Sequence, residues 1–314
     1  IALQEHLDDA GVELLTGSLL YHVESNDGVV HAAHLATPTG PIRIEARAWI
    51  DGTGDGELCE RAGARFRLGR LSDGQPDPYS QSGGYLEEKD GQPRIITVNF
   101  DAGWCDPTDP EDITRARLEG VDHYYRQSYD PWTRPLYIAP LIGIPQSRQF
   151  ETDLRMELGD LVAGRRYDDV IGYSGCNVDT HDIDHSFEDD TLVFWLWGLS
   201  RPGRVGAEIP YRVMLPRDLR NVWIASRCLG LDQGAHFSFR MQRDIQRVGE
   251  AAGYAAAEAV LHGHDARSLD FARIREHLAA SGALERGDRS GDKRDGPVFD
   301  TGYYDDLASL DVDA

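Results

Sequence analysis

The clearest pattern of apolar and polar positions lies near the C-terminal end of the chain. Val222 to Ala225 form an uninterrupted apolar run, which is typical of a strand buried on both faces of a parallel sheet. From about Arg240 onward, apolar residues recur every three or four positions, which predicts an amphipathic helix. The positions on that helical face are Met241, Ile245, Val248, Ala252, Ala255 and Ala259. The segment therefore predicts a strand, a loop and a helix.

The loop between this strand and this helix, Arg227 to Phe239, is expected at the carboxyl end of the strand. Ligands bind at that end in open α/β sheets, and the unpaired N–H groups of the next helix favour an electron-rich ligand. On the helix, Gly249, Gly253 and Ala257 share one ridge. Glycine destabilises a helix interior, so this ridge predicts the close approach of backbone or of a ligand.

The N-terminal part of the chain shows the pattern of a β-meander. Residues 1–10 predict a helix and residues 12–16 a strand. Three further strands are predicted at residues 19–23, 29–35 and 42–50, the first two joined by an Asn-Asp-Gly hairpin turn. The final apolar stretch, Ala46 to Ile50, is expected to be the strand that enters the next loop.

That loop reads Asp51-Gly52-Thr53-Gly54-Asp55-Gly56 and precedes a helix-like segment at residues 57–64. Glycines between a strand and a helix let the backbone approach a ligand closely, although the same composition also suits an ordinary tight turn. Glu57 occupies the position at which the dinucleotide-binding fingerprint has its third glycine, so this loop does not match that fingerprint.

The middle of the chain has a different character. Residues 71–93 are rich in Gly, Pro, Ser and Asp and predict a loop, whereas residues 95–100 alternate as a strand. Asp109 and Pro110 form a strong helix start, and the helix is expected to reach about Gln127. An aromatic apolar strand is predicted at residues 191–199 and a last amphipathic helix at residues 268–284.

Composition excludes several classes of protein. The net charge of −22 argues against a nucleic-acid partner, because phosphates would be repelled. The four cysteines form no Cys-x-x-Cys pair, so neither a zinc site nor a disulfide framework is indicated, and reduced thiols with a cytoplasmic location are expected. No apolar run is long enough to span a membrane, and no signal peptide is apparent.

Two of these segments carry a family resemblance. The first is the loop Asp51, Thr53, Gly54, Asp55, Gly56; the second contains Pro-Tyr-Arg at 210–212, Asn-Val-Trp-Ile-Ala-Ser-Arg-Cys at 221–228, Ser238, Arg240 and the Gly/Ala helix. Together they resemble the FAD-dependent oxidoreductases with a glutathione-reductase-like FAD-binding fold, in particular a large bacterial subgroup. Gly52 replaces a usual alanine, Ser226 a usual glycine and Arg243 a usual proline.

The resemblance implies a flavoprotein that takes a hydride from a small organic substrate onto FAD. It implies that cofactor contacts come from Asp51, Gly52, Thr53, Gly54, Asp55, Gly56, Arg227, Gln233, Arg240 and Met241. Ser147 and Arg148 match a family segment that usually reads Arg-Glu-Ser/Thr-Arg-Arg, which makes Arg148 a candidate for placing the substrate. His181 and His236 are the other candidate catalytic residues, although Gln233, Gly234 and His236 depart from the family pattern.

The implied fold is an α/β, Rossmann-like FAD-binding domain, incomplete at its N-terminus, with an inserted β-rich α+β substrate domain. Its expected boundaries are residues 1–65 and 206–284 for the FAD-binding domain, 66–205 for the substrate domain and 285–314 for a tail or linker. No Gly-x-Gly-x-x-Gly loop occurs in the 314 residues. We therefore expect the chain to be a fragment that binds FAD weakly by itself, with that loop on a missing N-terminal segment or a partner chain.

Two alternatives remain open from the sequence. Asp179, His181 and His185 lie at alternating positions, as the ligands of a metal-dependent hydrolase could. A non-catalytic binding module that reuses the flavoprotein fold is the other alternative, and it would account for the departures from the family pattern.

Overall fold

The computed structural model describes residues 2–69, 72–75, 77–101, 103–126, 135–163, 165–174 and 207–284. The helices are α1 Ala2–Asp9, α2 Glu57–Arg61, α3 Pro110–Arg126, α4 Leu158–Val162, α5 Gln233–Phe239, α6 Gln242–His262 and α7 Phe271–Ala280, with a 3-10 turn at Tyr211–Met214. The strands are β1 Leu19–Asn26, β2 Val29–Thr37, β3 Gly40–Glu45, β4 Trp49–Asp51, β5 Phe66–Arg67, β6 Ser80–Lys89, β7 Gln92–Asp101, β8 Pro135–Ile138, β9 Gln149–Phe150, β10 Val170–Ser174, β11 Ala207–Pro210 and β12 Val222–Ile224.

The predicted meander is confirmed as the antiparallel sheet β1-β2-β3. Asp27 and Gly28 both have positive φ values, of 50° and 76°, which is the backbone conformation of a tight hairpin turn between twisted strands. The predicted strand at residues 42–50 is interrupted, since β3 ends at Glu45 and β4 begins at Trp49. Residues 12–16 form no strand, which corrects that prediction; their apolar side chains are exposed and make no sheet pairing in the described structure.

Strands β4 and β12 form a parallel pair. Val222 pairs with Trp49 and Ile224 with Asp51, so the two strands end at the same edge. The pairing continues for one residue beyond both strands, where the Ala225 N–H donates to the Asp51 carbonyl at 2.9 Å. All three residues of β12 are fully buried, as their unbroken apolar pattern predicts. The predicted α/β character and the predicted buried parallel strand at residues 222–225 are therefore confirmed.

Helix α6 covers this strand pair with its small apolar face. Val248, Ala252, Ala255 and Ala259 are buried in one core with β12, as the helical period predicts. The predicted close approach of backbone to the glycine ridge of this helix is not found among the described residues, since a Cβ atom added to Gly249 or Gly253 would meet no atom within 4 Å. The approach of a ligand to this ridge stays a prediction.

A second antiparallel sheet, in the order β7-β6-β8, packs against α3. The sequence predicted a loop over residues 71–93, and β6 corrects this for its second half. The composition was misleading because the two glycines of β6 are required by packing: a Cβ on Gly83 would lie 2.7 Å from the Tyr124 ring, and one on Gly84 would lie 2.1 Å from the Tyr137 ring. The start of α3 is confirmed, with the Asp109 carboxylate accepting the Glu111 N–H at 2.9 Å.

The segment between β12 and α6 also differs from the prediction. Where the sequence predicted a loop through Phe239, the structure has helix α5, whose first turn is capped by the Asp232 carboxylate accepting the Ala235 N–H at 2.7 Å. Every residue of α5 is buried, so it lacks the polar face that makes a short helix recognisable from sequence.

The last predicted helix is present as α7, with Ile274 and Leu278 buried and Asp270 as its N-cap. The predicted strand at residues 191–199, the residues 285–314 and most of the aromatic segment before β8 lie outside the described residues. The division into a FAD-binding and an inserted substrate domain stays a prediction. Among the helices described, none is long and apolar enough to cross a membrane.

Candidate functional site

The loop after β4 is held in shape by the buried carboxylate of Asp51. Its Oδ1 accepts both the N–H and the hydroxyl of Thr53, at 3.0 and 2.6 Å, and its Oδ2 accepts the Cys59 N–H at 2.9 Å. The Thr53 hydroxyl in turn accepts the Glu57 N–H at the start of α2. Both carboxylate oxygens of Asp51 are therefore engaged inside the loop, and this residue fixes the path of the backbone.

The glycines of this loop allow close approach at two points. Gly56 has φ of +67°, and a Cβ there would lie 2.1 Å from the Phe150 ring. A Cβ on Gly54 would lie 2.5 Å from the Arg227 guanidinium. Gly52 has open space around its Cα, with nothing within 4 Å of an added Cβ. The loop thus packs tightly on one side and leaves Gly52 open.

Arg227 leaves the end of β12 and reaches the loop that follows β4. Its Nη2 donates to the Asp55 carboxylate at 2.5 Å, and both side chains are mostly buried. Arg148 approaches the same residue from a third segment, with Nη1 donating to the Asp55 backbone carbonyl at 2.9 Å. Three candidate residues that are distant in sequence therefore meet at one point.

A buried thiol completes this junction. Cys228 Sγ donates to the Gly54 carbonyl at 3.0 Å and lies 3.8 Å from the Ser147 hydroxyl. Burial raises the pKa of the Cys228 thiol to about 12, with a smaller opposing effect from the Arg227 charge. At neutral pH this cysteine is a neutral packing group, since a nucleophile would need the thiolate.

Helix α5 carries two of the predicted site residues on a buried surface. The Gln233 side chain donates to the Asp77 carboxylate at 3.3 Å. His236 is 1 % exposed, and burial, together with the nearby Arg240 and Arg227 charges, holds its pKa well below the usual range. Burial also raises the pKa of the capping Asp232. His236 is therefore a neutral imidazole at neutral pH.

Several side chains in these segments have buried polar atoms without a hydrogen-bond partner of acceptable geometry in the described structure. They are Gln146, Arg148, Gln149, Arg227, Gln233, His236 and Ser238. Buried polar groups are normally paired, and each unpaired group costs about 1–3 kcal/mol, so a concentration of them marks a place where a ligand supplies the partners. Because these atoms are not exposed, a ligand must displace neighbouring side chains to reach them.

The remaining sequence candidates lie close to α5 or outside the described residues. Arg240 is the C-cap of α5, and Met241 is the exposed N-cap of α6. His181 lies outside the described residues, as do Asp179 and His185 of the proposed metal site. In the part of the chain that the structure covers, no cluster of three metal-ligating side chains occurs.

Sequence reasoning missed Gln146, which is 0 % exposed and has both side-chain amide atoms unpaired. A single glutamine in a loop gives no signal of such a role in the sequence. Asp77, the partner of Gln233, was missed because it falls in the stretch assigned to a loop.

The comparison with family models decides the family. The model described as FAD dependent oxidoreductase matches residues 1–133 and 112–278. This chain belongs to that family. The family match agrees with the resemblance of the two loop segments, and it establishes FAD as the family's cofactor.

Comparison with solved structures gives a weak likeness. The OxyS anhydrotetracycline hydroxylase from Streptomyces rimosus aligns with 16 % identity and a TM-score of 0.28, over 48 % of this chain and 33 % of the hydroxylase. The chain thus spans about a third of that structure's length. No curated protein matches the chain.

The residues at this junction fit the cofactor of the FAD-dependent oxidoreductases. FAD presents carbonyl oxygens, ring nitrogens and hydroxyl groups, which match the unpaired donors of Arg227 and His236 and the unpaired acceptors of Gln233 and His236. The glycine loop after β4 supplies backbone that a ligand can approach at Gly52. Both features lie at the carboxyl ends of parallel strands, where cofactors bind in such sheets.

Proposed function

We propose that this chain takes part in a flavin-dependent oxidation, in which a small organic substrate gives a hydride to N5 of FAD. The observation that carries the proposal is the meeting of the two loops at Asp55 and Arg227, beside buried polar side chains that lack partners. Bound FAD supplies the hydride acceptor, whereas the protein supplies placement, charge and the exclusion of water.

The residues on α5 and after β12 are proposed to hold the flavin. Arg227 would donate to an electron-rich edge of the flavin, and Gln233 would accept from a hydrogen-donating edge. The backbone near Met241 would add N–H donors. Neutral His236 donates from one ring nitrogen and accepts at the other, but its low pKa makes it a poor proton acceptor at neutral pH. We therefore assign His236 to hydrogen bonding, and we keep His181 as the proposed residue that moves a proton with the hydride.

We further propose that a Gly-x-Gly-x-x-Gly loop outside these 314 residues holds the FAD pyrophosphate, on the same polypeptide or a partner chain. In the described sheet, β4 pairs only with β12. Ile50 on β4 is 41 % exposed. This open apolar position and the lack of a second partner for β4 in the described sheet support an additional element beside the parallel pair.

The test is to purify the protein from its own source and measure the polypeptide mass and the bound flavin by native mass spectrometry. A flavin-containing polypeptide or complex, with an absorbance spectrum that bleaches on anaerobic addition of a substrate, is the expected result. The isolated chain should take up FAD weakly in a titration. Source-purified protein without flavin, and without FAD uptake in any form, would exclude the proposal.

A further inference from the structure

Two arginines reach Asp55, but they contact it in electrically different ways. Arg227 binds the carboxylate, so its charge is compensated by an ion pair. Arg148 binds only the backbone carbonyl of the same residue. A carbonyl is a dipole without net charge, so the positive charge of Arg148 is not compensated there.

The other surroundings of Arg148 leave its charge uncompensated as well. Its guanidinium lies 5.3 Å from the centre of the Phe66 ring, which attracts a cation only weakly. Its Nε is buried and has no hydrogen-bond partner, and within the described ranges no carboxylate forms an ion pair with it. A partly buried guanidinium without a counter-charge is unfavourable, so an anion bound there would recover free energy.

The polar groups beside Arg148 in the chain are neutral. Gln146, two residues before it, is fully buried with both amide atoms unpaired, and Gln149 has an unpaired Nε2. His236 on α5 is held neutral, in part by the charge of Arg227. These neutral neighbours leave the positive charge of Arg148 uncompensated, in a protein whose net charge is −22.

We propose that Arg148 binds a carboxylate of the substrate, so that the substrate is a small organic monocarboxylate. This inference rests on the proposed function, since it places that substrate at the same junction. One uncompensated guanidinium matches one negative charge, and its planar fork matches the two oxygens of a carboxylate. A phosphate dianion would bring a second negative charge close to the Asp55 carboxylate, which disfavours it.

The experiment uses the full chain without FAD and two probes of equal shape, benzoate and benzamide, which differ in charge. Binding is measured as a saturable rise in melting temperature at constant ionic strength. Benzoate is expected to stabilise the protein and benzamide to have little effect. Arg148→Gln should weaken benzoate binding by roughly 10- to 100-fold, the range for a charged hydrogen bond. Arg126→Gln, which removes an exposed arginine on α3, is the matched control and should leave benzoate binding unchanged.

Equal shifts with the two probes, no benzoate shift, or a benzoate shift that survives in Arg148→Gln would each overturn the proposal. If Arg148→Gln does not fold, Arg148→Lys is the deciding variant, because it keeps the positive charge and loses the planar fork. Benzoate binding to Arg148→Lys is expected to be about tenfold weaker than to the wild-type protein. Unchanged benzoate binding would contradict the proposal. Flavin content is measured separately, by visible absorbance of the protein purified from its own source. Charge discrimination with no flavin in the source-purified protein would contradict the proposed function and leave the anion site standing. Flavin in that protein without charge discrimination would contradict the anion site and leave the proposed function standing.

Discussion

The Arg227 guanidinium donates to the Asp55 carboxylate at 2.5 Å, across 172 positions of sequence. The contact joins the loop after β4 to the loop after β12, so the two segments that resemble the flavoprotein family are in direct contact. Both side chains are mostly buried, with exposed fractions of 25 % for Arg227 and 32 % for Asp55. Water therefore screens this pair less than it screens a surface pair.

Removing either partner of the Asp55–Arg227 ion pair should show how much the pair contributes to stability. We expect Asp55→Asn and Arg227→Gln each to destabilise the protein, and the double variant to show a coupling energy of about 1 kcal/mol. Chemical denaturation of the four proteins measures it. The exposed pair Arg126–Asp122 on α3 gives the matched cycle, with a coupling energy close to zero. Similar coupling in the two cycles would show that the Asp55–Arg227 pair has no special role.

The glycines of the loop after β4 should differ sharply in their tolerance of alanine. Gly56→Ala places a Cβ against Phe150 at a positive φ and is expected to cost about 2–4 kcal/mol of stability. Gly52→Ala is the control in the same loop, since its Cβ would meet nothing within 4 Å. It should be neutral or slightly stabilising. Thermal denaturation compares the two variants, and equal losses would contradict this account of the loop.

The parts of the fold that the sequence predicted depend on local signals. The unbroken apolar run of β12, the hairpin turn at Asp27 and Gly28, and the helical period of α6 each determine an element within a few residues. The apolar run of β12 predicted a buried parallel strand, but the sequence did not show that β4 is the strand it pairs with. Where the local signal agrees with the tertiary environment, the prediction was confirmed.

The elements that were missed are set by tertiary contacts. Gly83 and Gly84 suggest a loop, yet they lie in a strand because the rings of Tyr124 and Tyr137 occupy the space of their missing side chains. Helix α5 is wholly buried and so shows no polar face. The unpaired state of Gln146 depends on which atoms surround it in the fold, and no pattern in the sequence carries that information.

Gln146 should reduce the stability of the ligand-free protein. Its amide is fully buried with no partner, so Gln146→Leu removes the cost of desolvation and is expected to raise stability by about 1–2 kcal/mol. Ligand binding should weaken in the same variant, because the amide no longer reaches the ligand. Denaturation and FAD titration measure the two effects.

Gln81 on β6 is the matched control, because it is equally buried but fully bonded to Ser82, Ala139 and Arg117. Gln81→Leu should lower stability by about 2–3 kcal/mol, since it leaves those groups unpaired. A loss of stability in Gln146→Leu comparable to that in Gln81→Leu would mean that Gln146 has partners in solution.

His236 should make the stability of the protein depend on pH in a defined window. Its folded pKa lies well below the usual histidine value of 6.5, because of burial and the charges of Arg240 and Arg227. Above the unfolded pKa both states are neutral and the stability is full. As pH falls below it, the unfolded chain takes up a proton that folded His236 does not, so stability declines until the folded pKa is reached, with a slope of up to about 1.4 kcal/mol per pH unit.

His236→Asn removes this titration and leaves the other histidines in place. The free energy of unfolding of the two proteins, measured by urea denaturation between pH 5 and 8, should differ by a constant amount above about pH 7.5. Below about pH 6.5 the wild-type protein should lose stability relative to the variant, because only its unfolded state gains the additional proton. Parallel curves over the whole range would mean that His236 titrates normally when folded. The imidazole could then carry a positive charge beside Arg227, and its assignment as a neutral hydrogen-bonding group for the flavin would fail.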